Sequence, residues 1–110
     1  MAFIEGGNNG NLNSATPVVI VSAPIVGRRI VRSIIIHNSD AILHVLTVYI
    51  SDSTGSDSII WKGDFDWGDT WFHGEGEVLV LDSPNKSIKA VLDGAAAVQP
   101  TYETSYGDAI

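Results

Sequence analysis

A chain of 110 residues has the size of a single domain, and its net charge of −7 sets a repulsive field against any phosphate backbone, so nucleic acid is not expected as a partner. The absence of cysteine rules out disulfides, thiolate metal sites and a cysteine nucleophile, and the lack of a leader or of about eighteen uninterrupted apolar residues makes a signal peptide or membrane span unexpected. Residues are 45% hydrophobic and only 17% charged, so charge cannot cover the surface, and another copy or another protein is expected to cover part of it.

Residues 1–14 carry the Gly/Asn-rich stretch Gly6 to Asn11 and one charge, Glu5. They read as an extended arm separate from a β-domain over residues 15–110, and the arm is expected to lie on a neighbouring subunit with Phe3 and Ile4 as apolar anchors. From Thr16 onward, short Val/Ile-rich runs alternate with turn residues and show no sustained helical period. Strands are expected near Thr16–Val21, Arg28–Asn38, Ile42–Ser51, Ser58–Lys62, Thr70–His73, Glu77–Leu81, Ser87–Leu92 and Ala97–Tyr102. With no room for crossover helices, the pattern is all-β: an antiparallel β-sandwich, jelly-roll or immunoglobulin-like, of about eight strands.

Neither parity of 28–38 is plainly polar, since Ile30, Arg32, Ile34 and Ile36 oppose Val31, Ser33, Ile35 and His37. Two apolar faces imply two covers, one the opposite sheet and the other a partner subunit, with the chain's own N-terminal arm or C-terminal tail as the alternative. Arg28, Arg29 and Arg32 cluster at the start of this run, where they would bind a carboxylate on a neighbour or form a solvated strand end.

The carboxylates Asp64, Asp66, Asp69 and Glu75 have the spacing of a calcium loop, but Gly68 falls where a ligand belongs and Asp69 where glycine belongs. An Asp-rich turn explains them as well, and no metal or other cofactor is expected. His37, His44 and His73 stand on three different strands and read as histidines bonded within a half-buried sheet, with no assigned role. Trp61, Trp67, Trp71 and Phe72 could stack on sugar rings; Trp61 and Phe72 are expected in the core, and Trp67, between Asp66 and Gly68, as an exposed contact. No serine elbow, Ser/Lys pair or supported carboxylate pair appears, so catalysis is not expected.

The run Gly27 to Asp40 continuing into His44–Ile50, then Ile60-Trp61-Lys62-Gly63, Val78 to Asp82 and Ile88 to Ala95, resembles small bacteriophage structural proteins over roughly residues 16–106. The resemblance implies a compact sandwich that decorates capsids, joins necks and tails, or forms the base to which fibres attach. It implies as partners the major capsid protein or other virion proteins, a homo-oligomer (trimer or dimer), and a location at the capsid surface after assembly in the host cytoplasm. Capsid decoration is the expected assignment, with a carbohydrate-binding module as a further alternative. The residues expected at a partner interface are Phe3, Ile4, Arg28, Arg29, Arg32 and Trp67.

Overall fold

The computed structural model describes residues 3–74, 76 and 78–109, apart from the side chain of Phe3. Through them run β1 (Phe3–Asn11), β2 (Val18–Val21), β3 (Arg28–His37), β4 (His44–Asp52), β5 (Ser58–Phe65), β6 (Thr70–His73), β7 (Leu79–Leu81), β8 (Lys86–Leu92) and β9 (Thr101–Ala109), with no helix among the described residues. The first sheet has the order β1-β9-β3, with β6 and β7 both paired to the far edge of β3; the second has the order β2-β8-β4-β5. Pairing is antiparallel throughout. The chain passes back and forth between the sheets, and β6 with β7 form two halves of one edge strand, so eight strand positions close a jelly roll.

The inner faces supply the core. On β4 and β8 the alternation is simple: Leu46 and Val48 face Ile88, Ala90 and Leu92 across the sheet's inner side, with Phe65 of β5 beside them. On β3 it is not, because the pairing with β9 shifts between Val31 and Ser33, leaving Arg32 as the extra residue of a bulge. The bulge turns Arg29 and Val31 inward before it and Ile34 and Ile36 inward after it. The mixed parity of 28–38 is therefore one inner face whose phase changes at a bulge, with Ile30 and Ile35 left on the outer side. A second shift, between the partners of Val48 and Tyr49, leaves Ile60 as the extra residue in β5.

The segment expected as an arm on a neighbouring subunit is here the edge strand of the first sheet. β1 pairs with β9 without interruption from Phe3↔Ala109 to Asn11↔Thr101. Past Ile4, its inward positions lack aliphatic side chains: Gly6 stands opposite Tyr106 and Gly10 opposite Tyr102, and a Cβ on either would come to 2.7 Å of the Tyr106 ring or 3.0 Å of the Tyr102 hydroxyl. The two tyrosine rings of β9 thus cover the backbone of β1, in the manner by which aromatic residues support edge glycines. Asn8 donates to the Tyr102 hydroxyl at 3.3 Å, and Leu12, buried just past the strand, anchors its end in the core.

Candidate functional site

The connections 12–17, 38–43, 66–69 and 93–100 are tied to one another by polar groups at one end of the sandwich. Asn38, fully buried, accepts the Asp40 N–H and donates to the carbonyl of Phe65 at 2.9 Å, while its backbone bonds to Asp69 and Gly68. Asp40 and His44 are buried together, His44 Nε2 lying 2.7 Å from Asp40 Oδ2, and Asp40 Oδ1 accepts the Val98 N–H. Asp93 faces the other ring nitrogen, Nδ1, at 3.5 Å and accepts the Val45 N–H. The bond to His44 holds Asp40 below the usual carboxylate range, and the Val45 N–H does so for Asp93. Ser14, at φ 51°, closes the set by donating its N–H to Gln99 Oε1 and accepting from Gln99 Nε2 at its hydroxyl, each at 2.8 Å. With a carboxylate facing each ring nitrogen, His44 acts as a tie between connections.

The opposite end of β3 and β9 is held by Arg29. Its Nε and one terminal nitrogen grip Asp108 at 2.7 and 2.9 Å, its other terminal nitrogen donates to the carbonyl and hydroxyl of Ser22, and its guanidinium lies 3.9 Å from the Tyr106 ring centroid. Hydrogen bonding to Asp108 raises the Arg29 pKa, and the same bond lowers that of Asp108. At 8% exposed, Arg29 is committed within the chain.

The other residues expected at an interface have different placements. Arg28 and Arg32 are exposed, Arg32 reaching across β9 to Glu5 at 2.8 Å; Ile4 is exposed on β1, and the backbone of Phe3 opens that strand. Trp67 is 68% exposed at the tip of a turn in which Asp66 accepts the Trp67 N–H, Asp69 accepts the Asp66 N–H and Gly68 takes φ 82°. Two of the acids considered for calcium, Asp66 and Asp69, thus cap backbone N–H groups in this turn, Asp64 lies exposed on β5, and Glu75 lies outside the described residues.

Of the other histidines, His37 bonds Thr70 at 2.8 Å and His73 stacks on Trp71 at 6.3 Å between ring centroids. Trp61 and Trp71 meet at 5.8 Å and, with His73 and Ile60, line a cleft of about 290 Å³ where the sandwich opens between β5 and β6. Phe72, expected in the core, is 61% exposed: it pairs with Ile35 on the outer side of the first sheet, because Trp71 and His73 take the two inward positions of this four-residue strand.

Exposed apolar side chains gather in two further places that strand patterning did not reveal. One is the outer side of the first sheet, where exposed Ile35 pairs with exposed Phe72 and exposed Val80 with half-buried Ile30, with Val78 two residues before Val80. The other is the connections, with Ile25 and Val26 between β2 and β3, Ile42 and Leu43 before β4, and Val98 before β9. Only the bulge in β3 could have disclosed the first, by moving Ile35 to the outside.

Jelly-roll topology, internally tied polar groups and apolar outer patches define the class: an all-β sandwich. No protein-family model matches the chain, and no curated protein matches its sequence. Among solved structures, it is similar to a subunit of the disulfide-linked pili of Bacillus endospore appendages, at a TM-score of 0.55 and 8% identity, over 99% of this chain and 88% of that one. It is also similar to a chain of the cyanophage Pam1 capsid asymmetric unit, at a TM-score of 0.45 and 13% identity, over 96% of this chain and 81% of that one. At such identity the pilus likeness bears on the fold alone.

Proposed function

We propose that this chain is a non-catalytic structural protein of a bacteriophage virion, and specifically a capsid decoration, or cement, protein that bridges and stabilises major capsid subunits at the capsid surface. The observation that carries the reading is the division of labour among side chains. Asn38, Asp40, His44 and Arg29, the groups best suited to chemistry, are used to tie strands and connections together, while Phe72, Trp67, Ile25 and Val26 stand exposed. A rigid scaffold that displays apolar side chains gains by burying them against neighbours, at about 25 cal/mol per Å² of apolar area. Repeated over a shell, such contacts reinforce one another by multivalency. The resemblance of residues 16–106 to small phage structural proteins supports the virion setting. The absence of cysteine separates this chain from assembly through disulfides.

A neck, tail or fibre-attachment position shares the same physics and differs in stoichiometry. Quantitative mass spectrometry and imaging of the particle test the assignment: cement requires on the order of hundreds of copies over the shell, whereas about six to twelve copies at one vertex would move the chain to the neck or tail. A carbohydrate-binding module is the second reading, favoured by the Trp61–Trp71 cleft. Glycan binding that is lost in Trp71→Ala would establish that reading instead.

A further inference from the structure

We infer that the outer side of the first sheet, centred on Ile35 and Phe72, is the surface on which a second copy of this chain docks. The inference rests on the assembly reading above and adds the surface and its occupant. Charge placement is the first argument. The strands of this sheet hold three arginines, Arg28, Arg29 and Arg32, against three carboxylates, Glu5, Glu103 and Asp108, so the sheet is neutral. Of the eleven carboxylates among the described residues, these three and two in the second sheet lie on strands, and the other six lie between strands. Two copies of a chain of charge −7 repel wherever their connections meet, and a neutral sheet face avoids this penalty.

Composition across the face is the second argument. Its β3–β6–β7 half presents Ile30, Ile35, Phe72 and Val80 as two directly opposed cross-strand pairs, flanked by His37, Thr70 and Ser33 without a formal charge. Its outward charges are Arg28 and Arg32 of one sign and Glu5 and Glu103 of the other. An isologous contact places the same patch on both copies, so it needs a patch that is complementary to itself, and an apolar edge beside charges of both signs, with Glu103 directly opposite Ile35 on β9, meets that need.

Size is the third argument. Four strand positions about 4.8 Å apart and nine residues long give a projected area of roughly 600 Å², whose corrugated accessible surface approaches the roughly 800 Å² each partner contributes to a standard interface. The second sheet's outer side has no comparable centre, because Lys62, Asp64 and Lys89 are set among its apolar residues.

Sedimentation equilibrium of the full chain tests the inference, with Phe72→Asp and Val80→Lys as face variants and Trp67→Ser as the control at the connections. The expected result is association of the wild type, weakened at least about tenfold in both face variants, with unfolding temperatures unchanged, and unaffected in Trp67→Ser. Wild-type chain that stays monomeric at millimolar concentration overturns the inference. So does association that survives both face variants, which leaves the assembly reading standing with a different surface. Binding of each variant to shells lacking this protein is measured in parallel. Loss of shell binding in Phe72→Asp from a monomeric wild type assigns the face to the shell instead of a second copy, whereas no shell binding by the wild type defeats the virion reading itself.

Discussion

Arg29 concentrates five interactions in one side chain: a two-point grip on Asp108, two bonds to Ser22 and a face-on approach to Tyr106. Removing it leaves Asp108, only 20% exposed at its side chain, without its countercharge. Arg29→Ala is therefore expected to cost about 3–5 kcal/mol in urea unfolding, and Arg29→Lys, which keeps the charge but loses the fork, a smaller fraction. The pH dependence follows from the lowered pKa of Asp108. The folded chain holds that proton less tightly than the unfolded chain, so the stabilisation is complete above the ordinary carboxylate value near about 4 and fades as pH falls through the depressed folded value. The stability difference between wild type and Asp108→Asn, measured by urea unfolding, should be largest near about pH 7 and shrink toward about pH 3. Asp40, lowered by its bond to buried His44, adds a loss in the same direction.

At the scale of elements, β1 shows how a strand can form without an apolar face. Its partners are the backbone of β9 and two tyrosine rings, so its weak points are its glycines. A Cβ at Gly7 would lie 2.6 Å from the carbonyl oxygen of Thr104, a backbone atom that moves only if β1 and β9 separate. Gly7→Ala is expected to cost about 1–3 kcal/mol and to accelerate hydrogen exchange in β1 and β9 while leaving β4 and β8 protected. Limited proteolysis of the wild type should spare residues 3–11, which are paired along their whole length. The same features explain what was legible. β4 and β8 announce themselves through Val, Ile and Leu at inward positions, as does the length of β3. β9 does not, because its inward residues are Tyr102, Thr104, Tyr106 and Asp108, two of them polar groups bonded to Ile20 and Arg29. β1 pairs glycine and asparagine with that strand, so its order depends on a partner ninety or more residues away, which local composition cannot express. Of the exposed aromatic residues, Trp67 was readable from its turn, whereas the exposure of Phe72 depended on a two-residue alternation whose phase is set by pairing with β3.

For the whole molecule, 45 × 26 × 21 Å in extent, the arrangement of charge decides how copies can approach. Exposed carboxylates such as Asp66, Asp69 and Asp93 stand in the connections, and the arginines and lysines stand on strands, where they are offset by acids on the same sheets. Side-by-side association through a neutral face keeps the connections of two copies apart but within reach of their long-range fields, which a Debye length of about 8 Å at physiological ionic strength attenuates. Salt therefore acts on the repulsion more than on the contact. Raising sodium chloride from about 20 to about 300 mM is expected to strengthen self-association several-fold in sedimentation equilibrium. An interface made chiefly of ion pairs would respond in the opposite sense and weaken with salt. The sign of that slope separates an apolar face from a charged one without any substitution. Neutralising Asp66 and Asp69 to Asn lowers the net charge from −7 to −5 and should reproduce part of the gain at low salt and shrink the further response, because it removes part of the repulsion that salt otherwise screens.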